Sequence, residues 1–159
     1  MYKHFLFDWG NTLMLDIKGQ TGPMYKWDKV QLTPGAYECL ENLHNSAKCH
    51  IATNAKDSSS TQIRKALKRV DLAQFIDHIF CFKEIGYEKP SQEFFEHIIS
   101  KLGCLRSEIV MIGDSLETDV YGAKKYEIES VWFNKDQQPV PKGITAVSTL
   151  HDLITIMNT

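Results

Sequence analysis

The sequence predicts an α/β fold, a parallel sheet of about five strands with helices on both faces. Two observations carry this. Short apolar runs bounded by Gly, Asn or Asp alternate with longer stretches whose apolar residues recur at helical spacing. Strands that alternate with helices in this way become parallel neighbours, because each return crosses one face of the sheet. At 159 residues the chain is one domain's length, enough to bury a core without disulfides or structural metal.

The elements follow in order. Lys3 to Asp8 is an apolar, aromatic run closed by Gly10 and Asn11, the first strand. Met14 to Thr33 lacks a clear period and holds Gly19, Gly22 and Pro23, so it reads as a loop or a weak hairpin. Pro34 opens a helix whose apolar face is Ala36, Leu40 and Leu43. Cys49 to Thr53 is the second strand. Ser58, Ser59 and Ser60 offer an N-cap to a helix with Ile63, Leu67 and Val70 on its inner face. Its basic pairs, Arg64-Lys65 and Lys68-Arg69, read as a solvated face.

His78 to Phe82 is the third strand. After Gly86 and Pro90 comes the strongest helix, with Phe94, Ile98 and Leu102 on one stripe, Phe95 and Ile99 beside them, and Gly103 as its C-terminal cap. Glu108 to Ile112 is the fourth strand, followed at once by Gly113-Asp114. A helix is expected over Glu117 to Tyr126, a fifth strand over Glu129 to Phe133, a loop over Lys135 to Gly143, and a closing helix over Leu150 to Met157. No repeat, low-complexity tract or linker divides the chain.

Composition narrows the function classes. Hydrophobic residues are 43% and charged residues 24%, the balance of a folded soluble protein. Lys+Arg is 18 against 20 for Asp+Glu, a net charge of −2, which disfavours a nucleic-acid partner. No apolar run approaches the roughly 18 residues of a membrane span, and the N-terminus reaches Asp8 too early for a signal peptide. Cys39, Cys49, Cys81 and Cys104 have neither CxxC nor zinc spacing. They read as buried thiols, so a reducing, cytoplasmic location is expected. The six histidines are scattered and suggest no ligand set.

In parallel α/β sheets ligands bind beyond the carboxyl ends of the strands. Here those ends carry polar residues of a matched kind: Asp8 with Gly10, Asn11 and Thr12; Thr53-Asn54; Lys89-Pro90; and Asp114 with Asp119. Asp8 and Asp114 would be adjacent carboxylates, whose repulsion favours a hard divalent cation such as Mg²⁺. A hydroxyl at Thr53 and an ammonium at Lys89 suit phosphate oxygens. Together these suggest phosphoryl transfer to a carboxylate nucleophile.

These residues resemble the haloacid dehalogenase superfamily. Its DxDx[TV] motif is similar to Asp8-Trp9-Gly10-Asn11-Thr12, its strand-closing Thr or Ser to Thr53, its Lys-Pro to Lys89-Pro90, and its GDxxxxD to Gly113 through Asp119. The resemblance runs from about Lys3 to Phe133. It implies a three-layer Rossmann-like fold with a central first strand, and residues 1–159 as a single domain without a separate cap domain. It implies Asp8 as the nucleophile that becomes an aspartyl phosphate. Asp8, Asp114 and the Gly10 carbonyl would hold Mg²⁺. Thr53, Asn54 and Lys89 would hold the phosphoryl group, and Thr12 and Asp119 would support the site.

One position departs. The family's phosphatases carry a carboxylate two residues after the nucleophile as general acid and base, and Gly10 stands there. Metal binding through the backbone survives, whereas loss of a positioned acid/base costs roughly 10²–10⁴ in rate. Asp16, Asp57 and Glu117 are candidate substitutes. The superfamily's dehalogenases place a Tyr at that position and insert a helical cap, and this chain has neither. Two functional readings follow: a Mg²⁺-dependent phosphohydrolase or phosphotransferase, and a catalytically weak relative that binds a phosphorylated ligand or protein. The expected partner is a phosphorylated small molecule or phosphoprotein, with a homo-oligomer closing the open site as a further expectation. Tyr25-Lys26-Trp27-Asp28 is either a lid or oligomer contact, or a loop packing its aromatics on the body.

Overall fold

Strand β1 (His4–Phe7) runs through the middle of a sheet of order β3-β2-β1-β4-β5-β6, with every pairing parallel. A computed structural model describes residues 1–157. The other strands are β2 (Lys48–Thr53), β3 (Ile76–Cys81), β4 (Ile109–Gly113), β5 (Glu129–Phe133) and β6 (Thr145–Val147). Successive strand residues face opposite sides of a sheet. Phe5 and Phe7 therefore enter one core with Leu40, Leu67 and Leu153, while Leu6 enters a second with Phe94, Phe95 and Met111. These two cores are the seams of a three-layer Rossmann-like fold. Helices α1 (Ala36–His44), α2 (Ser60–Lys68) and α6 (Leu150–Met157) cover the first face. Helix α4 (Gln92–Leu102) and the short α5 (Gly122–Lys124) cover the second. A one-turn helix, α3 (Phe82–Ile85), follows β3.

Local chemistry sets the helix ends. Of the three serines before α2, Ser59 is the cap: its hydroxyl accepts from Gln62 N, and the Gln62 side chain accepts from Ser59 N at 2.9 Å. Ser91 caps α4, and Gly103, at φ 61°, ends it in the left-handed conformation.

The structure departs from expectation in four places. The sheet has six strands, the sixth a three-residue edge strand too short to show a period. Strand β3 begins at Ile76, two residues early, because it is an edge strand. Edge strands tolerate polar residues such as Asp77, and the Arg64 guanidinium satisfies the carbonyls of Ala73, Ile76 and Asp77 at 3.0–3.3 Å. The helix expected from Glu117 starts instead as a wide turn over Leu116–Tyr121, with Val120 N donating to Ser115 O five residues back, and becomes α-helical only at Gly122. The basic pairs of α2 and its C-cap do more than form a solvated face: Lys65, Lys68 and Arg69 are exposed as expected, but Arg64 and Arg69 also serve backbone carbonyls. Arg69 donates to the carbonyls of Tyr25, Trp27 and Asp28 at 3.2, 2.6 and 3.2 Å. Trp27 is buried, and the Met14–Thr33 segment is a loop closed at its base by an antiparallel bridge from Met14 to Leu32, with one helical turn at Met24–Lys26 and its aromatics packed on the body. All four cysteines are free.

At the amino ends of the strands, His4, His50 and His78 stack across β1, β2 and β3 with centroids 5.3 and 5.4 Å apart. His50 is fully buried, accepts from His78 N at Nδ1 (3.2 Å), and lies 3.0 Å from His4 Nδ1 through Nε2.

Candidate active site

The chain order reverses at β1, which lies between β2 and β4, and such a point opens a crevice at the carboxyl edge of the sheet. Asp8 continues the β1 ladder, its N–H donating to Ile112 O at 2.9 Å, and Asp114 follows β4 directly. One oxygen from each of Asp8, Asp114 and Asp119 lies within 4.8 Å of the others. Thr12 Oγ1 stands 3.4 Å from both Asp8 Oδ2 and Asp114 Oδ1, and its one proton serves one of them at a time.

Lys89 is the buried counter-charge. Its Nζ lies 3.0 Å from Asp8 Oδ1, 2.7 Å from Asp119 Oδ1 and 2.6 Å from Ala52 O, and the residue is 2% exposed. Burial pulls the ammonium pKa down, but Asp8 and Asp119 outweigh it and hold the pKa above the ordinary lysine value. Asp119 is anchored at its second oxygen by Ser115 N at 3.1 Å. It sits so close to β4 that a Cβ at position 113 would overlap its carboxylate, which explains the glycine there. Burial raises its pKa to about 6 against the pull of Lys89.

Among the described residues, Asp114 has no cation of its own. Burial, followed by the hydrogen bond and charge of Asp8, pushes its pKa to about 7. With Lys89 committed to Asp8 and Asp119, the Asp8–Asp114 side of the cluster carries surplus negative potential. This all-oxygen donor set fits a hard divalent cation, with Asp8 and Asp114 as the available carboxylates.

The remaining residues of the expected site divide by role. Thr53 and Asn54 line the same cavity as Asp8 and Gly10, about 440 Å³ in volume. Thr53 Oγ1 accepts from Ala55 N at 3.1 Å, shaping the turn after β2. Both ends of the Asn54 amide are occupied by the Lys89 backbone, donating to Lys89 O at 2.9 Å and accepting from Lys89 N at 2.7 Å. The Asn54 side chain thus holds Lys89 in place. Gly10 faces open space, with nothing within 4 Å of where a Cβ would sit. Sequence reasoning missed Trp132, whose indole N–H donates to Asp114 O at 2.9 Å. Its place on β5 beside β4 was the available signal. A larger cleft of about 700 Å³ opens at the amino ends of the strands, near Tyr2, Leu43 and Thr145, and holds none of these carboxylates.

Comparison with known proteins places this architecture. The family model for haloacid dehalogenase-like hydrolases matches residues 17–133. The pyrimidine 5'-nucleotidase YjjG of Escherichia coli is 32% identical over 124 residues, 76% of this chain and 54% of that protein. The ribulose-1,5-bisphosphate 5-phosphatase of Halopiger xanaduensis is 32% identical over 111 residues, 70% of this chain and 46% of that one. The chain thus spans about half the length of these curated relatives, 54% and 46%. The crystal structure of the putative hydrolase YfnB from Bacillus subtilis, bound to magnesium, superposes with a TM-score of 0.81 at 20% identity, covering 99% of both chains. The family model's match over residues 17–133, most of the chain, with Lys89 and Asp114 inside it, makes the chain a member of the haloacid dehalogenase-like hydrolase family.

Proposed function

We propose that the protein is a Mg²⁺-dependent phosphohydrolase or phosphotransferase that works through Asp8. One observation carries the reading: Lys89 Nζ lies 3.0 Å from an Asp8 oxygen in a crevice where Asp8, Asp114 and Asp119 meet within 4.8 Å. The relatives support it by name, being a nucleotidase and a sugar-bisphosphate phosphatase.

Asp8, Asp114 and the Gly10 carbonyl would hold the cation, which when bound neutralises negative charge around the transferring phosphoryl group. The chain's own residues do the rest. An Asp8 oxygen attacks phosphorus and forms an acyl phosphate as the bond to the leaving-group oxygen breaks. Lys89, fixed by Asp119 and Ala52, draws negative charge from the equatorial oxygens. The Thr53 hydroxyl and the backbone N–H groups of the turn after β2 bind the same oxygens. Water then cleaves the acyl phosphate and regenerates Asp8. With Gly10 in place of a carboxylate, the leaving oxygen takes its proton from solvent, so aryl and acyl phosphates react faster than alkyl esters. The substrate is a phosphorylated small molecule or phosphoprotein.

The test is turnover of an aryl phosphate in Mg²⁺, in EDTA, and by Asp8→Asn. Activity is expected in Mg²⁺ and lost in the other two. Activity indifferent to both changes overturns the proposal. Binding of inorganic phosphate without any turnover favours the reading as a phosphoryl-binding relative.

A further inference from the structure

We propose that the cavity beside Asp8 selects phosphate monoesters whose leaving group carries hydroxyl or amino donors and no negative charge. This rests on Asp8 as nucleophile and adds the chemical class of the group it releases. The cavity has an apolar wall of Met24 and Trp27. Trp27 is fixed there, its indole N–H donating to Thr21 O at 3.1 Å and Gly22 O at 2.9 Å, and Arg69 holding its carbonyl at 2.6 Å. Trp9 also lines the cavity, and its buried indole N–H has no partner among the described residues.

The rim carries two carboxylates and one lysine. Asp16 and Asp57 are both exposed and both line the cavity. Asn11 Oδ1 accepts from Asp16 N at 3.2 Å and fixes that residue in the loop after the nucleophile. The Asp16 carboxylate has no partner among the described residues, and Asp57 accepts only the Ser58 hydroxyl at 3.3 Å. Lys56 is the lining cation, but its Nζ lies 3.3 Å from Glu88 and 5.3 Å from the Phe82 ring centroid. Lys89 is committed below. An ionised carboxylate only accepts hydrogen bonds, so this rim suits a leaving group rich in hydroxyl or ammonium donors. A second phosphate or a carboxylate on the leaving group would face two anions, with Lys56 already paired to Glu88. Across about 6 Å of solvent-rich cleft, each carboxylate disfavours such a group by roughly threefold to tenfold.

The experiment measures kcat/KM in Mg²⁺ for glycerol 3-phosphate, ethanolamine phosphate and 3-phosphoglycerate. It uses the natural protein, Asp16→Asn, Asp57→Asn and the double variant. The natural protein should favour the first two esters over the third by roughly tenfold or more, and the double variant should narrow this to about threefold or less. Equal handling of 3-phosphoglycerate, or the same discrimination in the double variant, overturns the inference. Calorimetric binding of the three esters to Asp8→Asn reads the same ratio without turnover. If no ester is hydrolysed, the reading of Asp8 fails while selectivity is still decided by binding, and binding of none of the esters also overturns the inference.

Discussion

Asp114→Asn should make the metal-free protein more stable at alkaline pH and abolish its stabilisation by Mg²⁺. In the fold the Asp114 pKa rises from 3.8 to about 7, chiefly through burial and the neighbouring Asp8. A carboxyl raised in this way keeps its proton in the native state while the unfolded chain has lost it. Stability in EDTA therefore falls as pH rises from about 4 to about 7, and the cost is complete above that range. The full gap corresponds to about 4 kcal/mol, at ~1.36 kcal/mol per tenfold change in proton affinity. Solvent reaches Asp114, and screening reduces the expected gain to about 1–2 kcal/mol. For a chain of this size, that is roughly 2–8 °C in Tm. Thermal unfolding in EDTA at pH 8 and pH 5 is the assay, with the variant's advantage expected at pH 8 and reduced by at least half at pH 5. Addition of Mg²⁺ at pH 8 should raise the Tm of the natural protein and leave the variant unmoved. A variant less stable than the natural protein at pH 8 in EDTA, or one that gains equally from Mg²⁺, would refute the placement of surplus charge at Asp114.

Three further outcomes are expected. Lys89→Met strands Asp119, whose side chain is 1% exposed, and should cost about 3–5 kcal/mol in urea unfolding, with Asp119→Asn in the same chain restoring part of it. Arg69→Ala frees the three carbonyls of Tyr25, Trp27 and Asp28 and should cost about 1–2 kcal/mol, with amide exchange accelerating across residues 14–33 rather than in the sheet. Gly10→Asp enters open space and should fold as the natural protein does, while alkyl phosphate turnover rises by roughly 10²–10⁴, read as a flatter dependence of rate on leaving-group pKa.

The edge that carries the site was legible because the two central strands are buried on both faces. Such strands appear as unbroken apolar runs, and the polar residue ending each run marks where the chain leaves the sheet: Asp8 for β1, Asp114 just past β4. The edge strands obeyed no such rule. Asp77 broke the pattern of β3 and hid its first two residues, and the three residues of β6 were too few to make one. Side chains that serve distant carbonyls were invisible for a different reason. Arg64 and Arg69 satisfy backbone groups that only the folded chain brings near, and Asn54 clamps a residue 35 positions away. A local pattern holds no record of such contacts.

The histidine file across β1, β2 and β3 fixes where acid will attack the fold. His50 Nδ1 accepts a backbone proton, so its own proton sits on Nε2 and points at His4 Nδ1, which must stay bare. Burial pushes the His50 pKa to about 3, and burial followed by Lys48 lowers that of His4. A second proton on His50 or His4 sets two donors head to head inside the sheet. Acid therefore acts on the sheet at this row, and stability falls as the pH drops below about 6 toward the His50 value.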